Sequence, residues 1–243
     1  MKNLKNINLM DRVELKINGF IKKRLHETSK QVKWVSYHIP KTAGTSFRLS
    51  LESAYGARRV FGVYADSGAK EMSRAEQIWL PRSATVLHGH FKALPKHGVL
   101  FPNAKRLVWL RDPIQRSWSL LNHTLDISNN DNVYGFIKNK FIDKGISDRE
   151  EIFLSLLSDK ESKKFFHAYS LFFKTVGKDF FHFVGNSNDY DDELKRLSNL
   201  MGIRLTQNYL NESKVKRKAP EVPRALHKYF DDEYKVYNLF CKN

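Results

Sequence analysis

A short apolar and aromatic run, Trp34, Val35 and Tyr37, leads into the stretch HIPKTAGTSFR from His38 to Arg48 and then into a segment with helical character from Ser46 to Tyr55. A strand, a turn and a helix in that order, with a turn of this composition, read as an anion cradle. Backbone amides approach an oxyanion closely only where side chains are small, a lysine adds charge, and hydroxyls complete the shell. Lys41, Thr42, Ala43, Gly44, Thr45 and Ser46 supply all three. The nucleotide-triphosphatase loop is a poor match, because its lysine follows the last glycine, whereas Lys41 precedes Gly44.

The rest of the chain continues the alternation. Strands are expected over Val60 to Tyr64, Ala84 to His88, Arg106 to Leu110 and Phe180 to Val184. Helices are expected over Lys70 to Trp79, Asn132 to Lys144, Asp148 to Leu157, Glu161 to Lys174 and Tyr190 to Met201, with a terminal helix after a basic loop at Lys214 to Lys218. Arg111-Asp112-Pro113 converts the Arg106 strand into a helix, Asp112 serving as N-cap and Pro113 as its first residue. Alternating strands and helices predict an α/β protein: a P-loop-like, three-layer fold with a central parallel sheet flanked by helices. In such sheets ligands sit beyond the carboxyl ends of the strands. Three polar motifs fall at such ends: the cradle, the tripeptide His88-Gly89-His90, and Arg111-Asp112-Pro113.

Residues 31–243 are expected to form one domain, preceded by a basic segment over residues 1–30 with eight basic and three acidic residues. Met10, Val13, Ile17, Phe20 and Ile21 recur there at helical spacing. That stripe fits a helix docked on its own domain or one lying on a membrane surface. The whole chain carries 42 Lys and Arg against 26 Asp and Glu, a net charge of +16. The partner is therefore anionic. Nucleic acid is not the expected partner, since no zinc-finger spacing, ribonucleoprotein aromatic motif or glycine-arginine repeat is present. A single cysteine, Cys241, permits no intrachain disulfide, and with no apolar run long enough to span a bilayer a cytoplasmic location is expected. No third ligand joins His88 and His90 for a metal site, so no metal is expected.

Three motifs in order, PKTAGTS at Pro40 to Ser46, HGHF at His88 to Phe91 and RDPIQRSWS at Arg111 to Ser119, resemble those of sulfotransferases that use 3′-phosphoadenosine 5′-phosphosulfate. The similarity is greatest to carbohydrate enzymes of the uronosyl 2-O-sulfotransferase type and covers roughly residues 34 to 124. It implies that Lys41 stabilises the oxygen bridging the 5′-phosphate and the sulfuryl group, while the amides of Gly44, Thr45 and Ser46 hold the phosphate. Arg111 and Ser119 would grip the 3′-phosphate, and the run containing Lys216, Arg217 and Lys218 would close over the nucleotide. His90 would take the proton of the acceptor hydroxyl, with His88 assisting and Gly89 leaving room for the ligand. The acceptor implied is a saccharide or glycolipid, and the basic N-terminal segment offers peripheral contact with an anionic membrane. For Arg116 and His123 the plain reading is a solvated helix face, and two satisfied histidines at a strand end remain an alternative for His88 and His90. The other function classes left open are a basic module that binds nucleic acid or heparin-like polyanions, and a nucleotide-dependent phosphotransferase.

Overall fold

The computed structural model describes residues 29–127, 131–207 and 218–241. Runs rich in β-branched and aromatic residues become five strands: β1 (Trp34–Tyr37), β2 (Val60–Val63), β3 (Val86–Gly89), β4 (Lys105–Leu110) and β5 (Phe183–Asn186). They form one sheet in the order β2-β3-β1-β4-β5, and every neighbouring pair is parallel. Parallel strands need helical crossovers that cover the sheet, which is why β1 and β3 are buried along their whole length instead of alternating between core and solvent. The helices, in chain order, are α1 (Gly44–Tyr55), α2 (Ala69–Met72), α3 (His97–Leu100), α4 (Pro113–Ile127), α5 (Asn132–Lys140), α6 (Arg149–Ser158), α7 (Lys163–Phe166), α8 (Tyr169–Phe172), α9 (Tyr190–Met201), α10 (Arg224–His227) and α11 (Asp231–Cys241). The fold class is the expected one: a central parallel sheet flanked by helices.

The chain divides into two compact units, Met1–Leu110 with Phe172–Asn211, and Arg111–Leu171 with Glu212–Asn243. The first contains the sheet. Its main core joins Trp34, Val60, Val86, Leu107, Trp109 and Phe183 from the strands to Phe47 and Leu51 of α1 and Leu194 and Leu197 of α9. Full burial of Phe47 and Leu51 contributes about 1.5–3 kcal/mol each. On the opposite face Tyr37 packs against Phe91, His97, Phe180 and Phe181. The second unit is helical, its core built by Ile114, Trp118 and Leu121 of α4 with Ile137, Phe141, Ile152, Phe153, Leu156, Leu157, Phe166 and Phe230. Asp112 caps α4 as expected, its Oδ1 accepting the Gln115 amide hydrogen at 3.0 Å.

Three expected helices are shorter than their sequence pattern suggests. The Lys70 to Trp79 segment forms only α2, because the chain turns at Ala75, which has φ 56°. The amides of Ala75 and Glu76 return to the carbonyls of Met72 and Glu71, a Schellman closure that leaves Ile78 and Leu80 to enter the core outside any helix. Asn132 to Lys144 is helical to Lys140 and tightens into a 3₁₀ turn over Ile142–Lys144. Glu161 to Lys174 breaks at His167, whose backbone is extended. The buried carboxylate of Glu233 compensates by accepting the Tyr169 and Ser170 amide hydrogens at 2.9 and 2.8 Å. Residues 1–28 of the basic N-terminal segment and residues 214–217 of the basic run, Lys216 and Arg217 among them, lie outside the described residues.

Gly89 has a different reason from the expected one. A Cβ there would lie 1.8 Å from the Val63 carbonyl oxygen, so the bare α-carbon admits the backbone of β2 and not a ligand. Gly89→Ala is expected to destabilise the protein by at least about 1–3 kcal/mol in equilibrium denaturation. Gly135→Ala, inside α5 with nothing within 4 Å of its added methyl, is expected to stabilise by about 0.5–1 kcal/mol. Equal effects would refute this reading of Gly89.

Candidate active site

Side chains two apart on a strand share a face, and the parallel register aligns those faces across β2, β3 and β1. Val60, Val86 and Trp34 form an apolar tier in the core, and Gly62, His88 and Ser36 form the next. The same alternation puts Tyr64, His90 and His38 one step beyond the strands' carboxyl ends. The sheet's ladder continues far enough to hold this tier: the His38 amide donates to the Gly89 carbonyl at 2.8 Å, and the His90 amide to the Val63 carbonyl at 2.9 Å. Three imidazoles consequently meet. His38 stacks on His88 with centroids 4.9 Å apart, and His38 Nδ1 lies 2.9 Å from His90 Nε2. The Tyr64 ring flanks His90 at 5.0 Å. Gly62 leaves space for the Arg48 guanidinium, which a Cβ would approach to 2.9 Å and which lies 5.5 Å from the Tyr64 centroid.

The cradle follows β1 directly. Lys41 and Ala43 both adopt left-handed φ, 71° and 64°, which for non-glycine residues costs on the order of 1–3 kcal/mol each. Thr42 is fully buried, and its hydroxyl donates to the Ile39 carbonyl at 2.8 Å, holding the turn from within. Ser46 is half-buried and Thr45 exposed. The first hydrogen bond of α1 joins the Phe47 amide to the Ala43 carbonyl, so the amides of Gly44, Thr45 and Ser46 precede the helical ladder. No side chain caps this end and no acidic residue lies in its first turn, whereas α5 and α6 are capped by Asp131 and Asp148. Gly44 joins the cradle to the histidines. A Cβ on it would fall 1.9 Å from both Cδ2 and Nε2 of His38.

Electrostatics keep the imidazoles neutral. Burial lowers the His38 pKa well below its ordinary value, and neighbouring His88, His90, Lys41 and Arg48 push it further down. His88 is lowered to about 3 by complete burial, then by Arg48 and His90. Its Nδ1 bonds Ser36 Oγ at 2.8 Å, while Nε2, close to the Gly44 backbone, makes no well-formed hydrogen bond among the described residues. His90 is lowered to about 4, also by burial, although its side chain retains solvent contact. The carboxylate of Glu52 is 2.7 Å from Arg48 Nε. Lys41 and Arg48 thus set a cationic field over neutral rings. Among the described residues no group of three His, Cys, Asp or Glu side chains is arranged to hold a metal ion.

The other expected residues belong to the second unit. Arg111 follows the last residue of β4 and is half-buried. Tyr169 Oη accepts the Arg111 amide hydrogen at 2.9 Å and donates to the Arg111 carbonyl. Ser119 is half-buried on α4 and Lys218 is exposed. Arg116 departs from the expected solvated face: it is 1% exposed, donates to the Phe166 carbonyl and lies 5.7 Å from the Tyr169 ring centroid. The wide apolar stripe of α4 turns it into the helical core. His123 is exposed, as expected.

Sequence reasoning did not single out His38, Arg48 or Tyr64 as site residues. His38 and Tyr64 each stand immediately after a strand, in phase with residues of its cradle-facing side. Arg48 lies one helical turn from Gly44. Those spacings were the available signals.

No protein-family model matches the chain, and no curated protein matches it. Among solved structures, a sulfotransferase from Alicyclobacillus acidocaldarius is similar at 11% identity and a TM-score of 0.44, over 87% of this chain and 96% of that one.

The depressed His88 pKa has a consequence for stability. Between about 6.5, the ordinary histidine value, and about 3, the unfolded chain binds a proton that folded His88 does not, so stability falls as pH drops through that window. The contribution is at most about 1.4 kcal/mol per pH unit. In urea denaturation at pH 7, 5.5 and 4.5, His88→Gln is expected to show a shallower decline than wild type. Parallel declines would contradict the assignment.

Proposed function

We propose that the chain transfers a sulfuryl group from 3′-phosphoadenosine 5′-phosphosulfate to a hydroxyl of a carbohydrate or glycolipid acceptor. The observation that carries this reading is the combination, within one unit, of an uncapped helix start behind Lys41 with a neutral, solvent-contacting imidazole at His90. The amides of Gly44, Thr45 and Ser46 face the 5′-phosphate, where the helix dipole and the lysine favour negative charge. An alcohol is a weak nucleophile, so His90 removes its proton as the new oxygen–sulfur bond forms. The bond from sulfur to the bridging phosphate oxygen breaks, and its electron pair stays on that oxygen, where Lys41 stabilises the growing charge. The products are a sulfate ester, adenosine 3′,5′-bisphosphate and a proton on His90. His88, buried beneath the cradle, supports the arrangement from below.

Arg111 and Ser119 are assigned to the 3′-phosphate on the strength of their motif, and the run Lys216, Arg217 and Lys218 to the nucleotide's outer side. The transfer calls for no metal, because Lys41 and the amides supply the positive potential. No described helix is long and apolar enough to cross a membrane. A cytoplasmic enzyme whose basic N-terminal segment rests on an anionic membrane face completes the proposal, and absence of pull-down with acidic liposomes would remove that part.

The test is incubation with labelled phosphosulfate donor and a panel of saccharides, glycolipids and small alcohols, read by mass spectrometry; no sulfated product with any acceptor counts against the proposal. His90→Ala should lower turnover by about 10² to 10⁴ while keeping nucleotide affinity, whereas Lys41→Ala should lose turnover and some affinity. Calorimetry with adenosine 3′,5′-bisphosphate should show Arg111→Ala weakened by about 1.5–3 kcal/mol.

The pH profile carries its own sign. His90 accepts a proton only when neutral, and its lowered pKa keeps it neutral below pH 6.5. The acid limb of kcat/KM should therefore fall nearer pH 4 than 6.5. The limb of kcat should lie higher, since a bound anion favours the imidazolium.

A further inference from the structure

The contact between His38 and His90 is left unused by the reaction as written above, yet it determines which nitrogen of His90 has a lone pair to offer. His38 Nδ1 and His90 Nε2 are 2.9 Å apart, and between two neutral imidazoles only one can donate. If His38 donates, His90 carries its hydrogen on Nδ1 and cannot take a proton there. If His38 accepts, Nδ1 of His90 is free to act.

The second nitrogen of His38 selects between the two. Its Nε2 lies along the bare α-carbon of Gly44, the first residue of α1, beside the amides that precede the helical ladder. The ring is 8% exposed, stacked on His88, and His88 is itself tied to Ser36, so the imidazole is held in one orientation. Lys41 and Arg48 act on His38 as cations and keep the ring uncharged, and the amide hydrogens at the start of α1 favour a lone pair on the adjacent Nε2. An anion seated at the amides reverses that preference and favours an N–H at Nε2.

We propose that His38 is a positioning residue for the base, and that an anion in the cradle selects its tautomer: hydrogen on His38 Nε2, lone pair on His38 Nδ1, hydrogen on His90 Nε2, lone pair on His90 Nδ1. The acceptor's proton then moves to His90 Nδ1, while the Nε2 hydrogen stays in its bond to His38 and stabilises the imidazolium. Donor binding thereby arms the base, and an unliganded enzyme has its two histidines in the unproductive arrangement. This rests on the sulfuryl-transfer reading for the anion and for the role of His90.

The test is nitrogen NMR of the full chain labelled at histidine, with resonances assigned by their loss in His38→Asn and His90→Asn. Saturation with adenosine 3′,5′-bisphosphate should give protonated-type shifts at Nε2 of both His38 and His90 and a bare-nitrogen shift at His90 Nδ1. Hydrogen on His90 Nδ1 in that complex overturns the proposal and leaves the transfer reading standing. Failure of the nucleotide to bind in calorimetry overturns both. With an acceptor from the panel, His38→Ala should lower kcat by about 10- to 100-fold with nucleotide affinity held. His38→Asn, whose Oδ1 accepts from His90 Nε2, should recover about tenfold or more of that loss. Equal losses in the two variants would sink the positioning role.

Discussion

The close seating of the His38 imidazole against the bare α-carbon of Gly44 is the contact on which the rest of the site depends. It fixes the height of the cradle above the sheet, and it brings the amides at the start of α1 beside a ring whose far nitrogen bonds His90. Any side chain at position 44 would displace the imidazole and separate the turn from the histidines. The turn is built to hold this arrangement: two non-glycine residues accept left-handed backbone, and Thr42 stitches the loop to Ile39 from beneath.

Electrostatics then decide what such a site can do. Burial keeps the three histidines neutral, with cations adding to it at His38 and His88, so the field at the cradle comes from Lys41, Arg48 and the helix start rather than from imidazolium. That field suits the phosphate of the proposed donor, and a neutral ring suits the proposed role of base. The overall charge of +16 acts at longer range and does not select among anions.

The second unit shows a different use of buried polarity. Tyr169 holds both backbone polar groups of Arg111, Glu233 caps the helix on which Tyr169 sits, and Arg116 stacks on the Tyr169 ring. The backbone of the half-buried Arg111 is thereby fixed from both its amide and its carbonyl. Within that unit, a residue with the look of a surface arginine, Arg116, is part of the internal scaffold.

Local chemistry determined much of this protein from sequence alone. The alternation of apolar runs and helical stripes fixed the parallel α/β class, Asp112-Pro113 the start of α4, and the small residues between Lys41 and Ser46 the turn from β1 into α1, because each depends on neighbours within a few positions. Helix lengths were less legible: Ala75 ends α2 through backbone bonds that do not require a glycine, and the break at His167 is sustained by Glu233, 64 residues away from Tyr169 in the chain. Only tertiary structure decided that Gly89 admits a neighbouring strand, that Arg116 is buried, and that His38 joins His88 and His90. The reason is physical: these outcomes depend on strand register and close approach across the sheet or helical core, and neither is encoded in the spacing of residues along one strand or helix.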